Sequence, residues 1–256
     1  MTDRKLEICC YTAESAILAE AAGAHRIELC DNYAEGGTTP SFATIQKVIE
    51  NLEAPVNVIV RPRGGDFLYS KLEYEIIKED IRKIKTLGAN GVVVGLLTAD
   101  GEIDLGRTEA IMELVGNMEV TFHRAFDMCK DQYKALDQLI ELGVTRILTS
   151  GRMNSALEGA DLIGKLVQKA QNNIIIMPGG GVNEKNISEL IHTTNALEYH
   201  SSAKTLVQGK MDFQNELVSM SGNANSKEFN HISFEQEQVK SMLKIVSEEH
   251  TSELQS

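Results

Sequence analysis

Positive charge is scarce in this chain: 25 Lys and Arg stand against 37 Asp and Glu, a formal net charge of -12. No general positive field is available to draw in nucleic acid or an anionic membrane surface, so neither is an expected partner. Long apolar runs are also missing. No stretch of about 18 apolar residues occurs, and the opening M-T-D-R-K-L-E is charged where a secretory leader would be apolar. Cysteine is sparse, with four in 256 residues and two of them adjacent at Cys9 and Cys10. That is not the framework of a secreted disulfide scaffold. Together these absences predict a soluble, cytoplasmic chain with reduced thiols.

What is present points to one repeated unit. Three helix-to-strand junctions share a pattern: G-A-H-R-I-E-L from Gly23, G-A-N-G-V-V-V from Gly88 and G-V-T-R-I-L-T from Gly143. Each glycine closes an amphipathic helical run and is followed within two or three residues by a β-branched run. The spacings, 65 residues from Gly23 to Gly88 and 55 from Gly88 to Gly143, each fit two βα units of roughly 30 residues. Filling in the intervals places strands near Leu6–Cys9, Arg26–Cys30, Val56–Val60, Gly91–Val94, Val120–His123, Arg146–Thr149, Ile174–Met177 and Leu197–His200. The fold class is therefore α/β, a closed parallel (β/α)8 TIM barrel, which uses about 250 residues as a single domain. The expected domain spans residues 1–249, with 250–256 as a frayed tail.

The helices carry local signals. Thr12 is placed to cap the first and Pro40 to open the second. Leu72, Ile76, Ile77, Ile81, Ile84 and Leu87 make the third amphipathic. Beyond Ala203 the composition shifts to Asn, Ser, Gln and Gly, which predicts one polar loop over about 204–232. Ser233 and Gln236 then read as a capping box for a last outer helix over about 233–247.

Charge gathers where the strands stop. The apolar run Asn57–Val60 ends abruptly in Arg61, Arg63 and Asp66, at the carboxyl end where barrels place ligand sites. Three strands finish with the same spaced pair: Glu7 with Cys9, Glu28 with Cys30, and Glu198 with His200. Period 2 puts both members of each pair on one face, and closure sets strand 1 between strands 8 and 2. Cys9, Cys30 and His200 are thus expected together at the rim, with three glutamates one layer below. Two thiolates and an imidazole suit Cu(I) or Zn(II); the alternative is that the cysteines pack as small hydrophobes. Arg61 and Arg63 are the expected partners of the glutamates, joined by His123, Arg124 and Asp127 from T-F-H-R-A-F-D. His123, with Asp127 beside it, is the candidate general acid or base, and Glu28 is a further catalytic candidate. Cys129 reads as packing. The run Gly179, Gly180, Gly181 after strand 7, with Ser201 after strand 8, is a candidate anion site at a helix N-terminus; a tight turn is the competing reading.

R-I-E-L-C (Arg26–Cys30), G-G-T-T-P-S (Gly36–Ser41), R-P-R-G-G-D-F-L-Y-S (Arg61–Ser70), T-F-H-R-A-F-D (Thr121–Asp127), L-T-S-G (Leu148–Gly151) and P-G-G-G (Pro178–Gly181) together resemble the CutC copper homeostasis family. The resemblance runs from about Lys5 to Ala203. It implies a TIM barrel, a cytoplasmic location, a homodimer or higher homo-oligomer, and copper handling through Cu+ (Cu(I)) binding. Two functional classes follow. One is a copper homeostasis protein holding Cu+ at Cys9 and Cys30, with His200 as third ligand. The other is a barrel enzyme acting on a small anionic or phosphorylated metabolite, with Arg61, Arg63, Asp66, Arg124, Gly179, Gly180, Gly181 and Ser201 binding substrate and copper incidental.

Overall fold

Short, largely buried strands alternate with helices through the barrel in a computed structural model that describes residues 4–215, 217, 218 and 229–253. The barrel strands are β1 (Lys5–Cys10), β2 (Arg26–Leu29), β3 (Val56–Ile59), β4 (Gly91–Val94), β5 (Glu119–Phe122), β6 (Arg146–Thr149), β7 (Ile175–Pro178) and β8 (Glu198–Ser201). All neighbours pair in parallel, in the order β7-β6-β5-β4-β3-β2-β1-β8. The eight strands make a nearly closed TIM barrel. Between its two ends, Ser201 Oγ donates to the Val182 carbonyl at 2.6 Å.

Strand period 2 divides the side chains between two layers. Leu6, Ile8 and Cys10 of β1 join the large apolar layer between strands and helices, together with Ile27, Leu29, Val58 and Val92. Cys9 belongs instead to a small inner cluster with Cys30, Ile59 and Val93. Glu7, two residues before Cys9 on the same face, is also buried, so this carboxylate faces the barrel interior.

Helix starts follow capping chemistry. Thr12 caps α1 (Ala13–Ala21) reciprocally with Ser15, and Ser70 does the same with Glu73 for α3 (Lys71–Leu87). At α2 (Phe42–Asn51) the cap is Ser41, whose Oγ accepts from Thr44 N. Pro40 therefore lies just outside this helix rather than in its first turn. Gly88 ends α3 at φ 84, a left-handed conformation that only glycine adopts without strain. The buried face of α3 is Ile77, Ile81 and Ile84, while Leu72 and Ile76 are exposed, so the apolar stripe is narrower than its sequence suggests. The remaining outer helices of the barrel proper are α4 (Leu105–Val115), α5 (Gln132–Glu141), α6 (Ala160–Ala170) and α7 (Ile187–Thr194).

The segment after β8 departs from a plain loop. β9 (Lys204–Gln208) and β10 (Asn230–Phe234) pair antiparallel, with Ser233 opposite Thr205. Ser233 is therefore a strand residue, not a cap, and the last helix, α8, runs over Gln236–Glu253. Cross-strand pairing prevails here over the local capping signal. Much of the polar stretch between these strands, and the last three residues of the expected tail, lie outside the described residues. Among the described residues, no helix is long and apolar enough to cross a membrane.

Candidate functional site

The register of β8, β1 and β2 sets Glu7 beside both His200 and Arg26, and Cys9 beside Glu28. The inward residues of these strands form two levels. In the lower one, Arg26 Nε meets Glu7 Oε2 at 2.5 Å and Arg26 Nη2 meets Glu198 Oε2 at 2.5 Å. Arg146 reaches in from β6, with Nε 3.0 Å from Glu198 Oε2 and Nη1 2.8 Å from Glu119 Oε2. The upper level holds the thiols. Cys9 Sγ and Cys30 Sγ are 3.5 Å apart, and Cys30 Sγ is 3.4 Å from Glu28 Oε2. Cys9, Glu28 and Cys30 each offer one donor atom within 4.8 Å of the others, a set able to hold a metal ion. His200 stands beside them, its Nδ1 2.7 Å from Glu7 Oε1 and its Nε2 3.7 Å from Glu28 Oε2.

Burial sharpens the competition for protons. The Cys9 thiol is held well below its usual range by its hydrogen bond to Cys30, against the cost of burial and with help from His200. Burial, reinforced by Cys9, pushes Cys30 and Glu28 well above theirs. Burial also opposes a charge on His200, but Glu28, Cys9 and Glu7 outweigh it and hold the imidazole well above its usual range. For Glu7, Arg26 and His200 overcome burial and keep the carboxylate ionised. The upper level thus disfavours a proton on Cys9 and favours one on His200, Cys30 and Glu28. Glu28 is thus the third donor beside the two sulfurs, while His200 faces Glu7 and Glu28 from β8.

The glutamates are paired differently from the sequence reading. Arg26 and Arg146 hold them, not Arg61 and Arg63. A signal for Arg26 was present: in R-I-E-L-C it stands two residues before Glu28 and four before Cys30, on the same strand face. Arg63 is committed to Glu73 at 2.6 Å and Asp66 at 2.9 Å, which clasp the loop after β3. Arg61 donates to three loop carbonyls, Glu35 O at 2.6 Å, Gly37 O at 2.8 Å and Gly65 O at 3.0 Å.

His123 and Asp127 do not pair. His123 Nδ1 accepts from Ala125 N at 3.1 Å, and burial, aided by Arg61, pushes its pKa down to about 3. It is neutral at pH 7 and too weakly basic to serve as a proton acceptor there. Asp127 instead takes Thr149 Oγ1, the Ser150 amide and hydroxyl and the Arg152 amide, with Arg124 Nε at 2.8 Å. It pins the loop after β6. Arg124 also donates to Ser150 Oγ at 2.7 Å.

The Gly179–Gly181 run is a turn and does not abut a helix, since α7 starts only at Ile187. A Cβ on Gly179 would stand 2.4 Å from Leu148 Cδ1, which explains a glycine there by close packing. The Ser201 hydroxyl is buried and committed to Val182 O. Cys129 is buried, as packing requires.

The model of the CutC family matches residues 4–205 of this chain. A family protein CutC of Parabacteroides distasonis is 46% identical over 242 residues, covering 94% of this chain and 99% of that protein. The copper homeostasis protein cutC homolog of Homo sapiens is 46% identical over 224 residues, 88% of this chain and 82% of its own length. Among solved structures, a CutC protein from Streptococcus agalactiae superimposes with a TM-score of 0.75 at 37% identity, covering 78% of this chain and 98% of that one.

Proposed function

This chain belongs to the CutC family, and on that premise we propose that it serves copper homeostasis in the cytoplasm by binding Cu(I) at the thiol cluster of its barrel rim. Cys9 and Cys30 are the ligands and Glu28 the neighbouring oxygen donor. The observation that carries this reading is two buried sulfurs 3.5 Å apart, Cys9 on β1 and Cys30 just past the end of the neighbouring β2. Thiolate sulfur is the donor Cu(I) prefers, and burial keeps water and harder competitors away.

The surrounding charges fit a cargo site for a monocation. Cys9 supplies a ready thiolate, and Cys30 gives up its proton as the ion arrives. His200 balances the negative charge of the thiolate without spending a ligand position. The same reading takes the protein as a homodimer or larger homo-oligomer, as the family resemblance implies.

An anaerobic Cu(I) titration of the reduced protein against a competing chelator tests the site. Wild type is expected to take up the ion stoichiometrically, and the Cys9→Ser, Cys30→Ser double variant to lose that uptake. Equal retention by both proteins would remove copper from these thiols.

A further inference from the structure

Beyond the thiols along the rim, at the ends of β3 and β5, three buried hydrogen-bonding groups lack an acceptor. Arg61 Nε, Tyr69 Oη and His123 Nε2 are all buried without an acceptor in hydrogen-bonding geometry, and the Arg61 guanidinium lies against the Tyr69 hydroxyl. Their side chains are only 6%, 4% and 5% exposed, so water does not substitute for a missing acceptor. All three are donors. The Ala125 amide donates to His123 Nδ1, which places the proton of the neutral ring on Nε2. Tyr69 is a buried phenol, and Arg61 carries only N–H groups.

Arg61 has a second deficit. Among the described residues no carboxylate lies within ion-pairing distance of it, and its partners, three backbone carbonyls and the Tyr69 hydroxyl, are all neutral. Every other barrel-lining arginine is paired: Arg26 with Glu7 and Glu198, Arg146 with Glu198 and Glu119. A buried cation without a counter-charge is costly and persists where something else supplies the charge.

The three donors share one wall. The Phe67 ring lies 5.0 Å from the His123 ring and 5.3 Å from the Arg61 guanidinium carbon, so one half-buried ring covers both. Tyr69 follows two residues on, under the Arg63 guanidinium at 5.3 Å. His123 immediately follows β5 and Arg61 lies two residues past the end of β3, both at the carboxyl rim.

We infer that Arg61, Tyr69 and His123 form a binding site for a small oxyanion, a carboxylate or phosphate group, at the C-terminal ends of β3 and β5. The anion supplies the charge that Arg61 lacks and accepts hydrogen bonds from Tyr69 Oη and His123 Nε2. It enters by turning the Phe67 ring aside. The site is separate from the thiol cluster and does not depend on copper.

Sodium phosphate and sodium acetate, titrated separately into metal-free 15N-labelled protein with sodium chloride holding ionic strength constant, test it through the His123 Nε2–H resonance. A saturable shift is expected. A response to phosphate alone assigns a phosphoryl ligand, to acetate alone a carboxylate, and to both a general oxyanion site. Arg61→Gln is expected to weaken binding about tenfold or more, and Tyr69→Phe about two- to tenfold. Should Arg61→Gln fail to fold, Tyr69→Phe and the wild-type resonance still decide. The Cys9→Ser, Cys30→Ser variant is expected to bind the anion as wild type does. The proposal is overturned if neither salt moves the His123 resonance, if Tyr69→Phe and Arg61→Gln bind like wild type, or if loss of the thiols abolishes the response.

Discussion

The two sides of this barrel mouth treat buried charge in opposite ways. On the β8-β1-β2 side the buried ions have oppositely charged neighbours: Glu7 and Glu198 meet Arg26, Arg146 reaches Glu198 from β6, and His200 meets Glu7. On the β3-β5 side Arg61 has neutral partners and no carboxylate, and the Tyr69 and His123 protons meet no acceptor. Both sides are equally enclosed. The difference therefore lies in what each side still needs: the first can accept a soft cation by releasing a proton, and the second lacks an anion.

Substituting the same residue type on each side gives the largest contrast. Arg26→Gln leaves Glu7 and Glu198 buried without their shared cation, and is expected to cost about 3–5 kcal/mol in denaturant unfolding. Arg61→Gln removes a buried charge that has no counter-ion, so the relief of desolvation offsets the lost carbonyl contacts and the net cost is about 1 kcal/mol. Equal losses would erase the distinction between a saturated side and an unsatisfied one.

Acid stability separates the sides next. His123 has a folded pKa of about 3, below the 6.5 of a free imidazole, so the unfolded chain binds the extra proton between those values. Folding stability therefore falls as pH drops through that window. Relative to His123→Gln, wild type is expected to lose about 1.4 kcal/mol per pH unit below 6.5, until the acid transition. A constant difference between the two proteins would mean that the imidazole is not buried in its neutral form.

The smallest effect is the most pointed. With no ligand present, Tyr69→Phe deletes a hydroxyl that has no acceptor, and is expected to change unfolding free energy by less than about 1 kcal/mol, in either direction. In saturating phosphate or acetate the same substitution should become destabilising relative to wild type, since ligand stabilises the folded state in proportion to its affinity. A large cost without ligand would show that the hydroxyl already has an acceptor.

Much of this was written locally. Glycines that end helices, followed at once by β-branched runs, specify a βα unit, because a left-handed C′ residue and a buried strand are both properties of a few neighbouring residues. Period 2, with the closure of the barrel, was enough to bring Cys9 and Cys30 together and His200 beside them. The tertiary structure decided the pairing. Arg146 lies 52 positions from Glu198 along the chain and meets it only across the barrel interior. Arg61 looked like a partner for the glutamates because both sit at the rim, yet the loops after β2 and β3 fold over its guanidinium and turn it to their carbonyls. Likewise Ser233 carries a capping pattern that cross-strand pairing with Thr205 overrides. Periodicity and caps depend on the nearest residues. The partner of a long charged side chain, and the state of its proton, depend on every group that the closed barrel brings within a few ångströms.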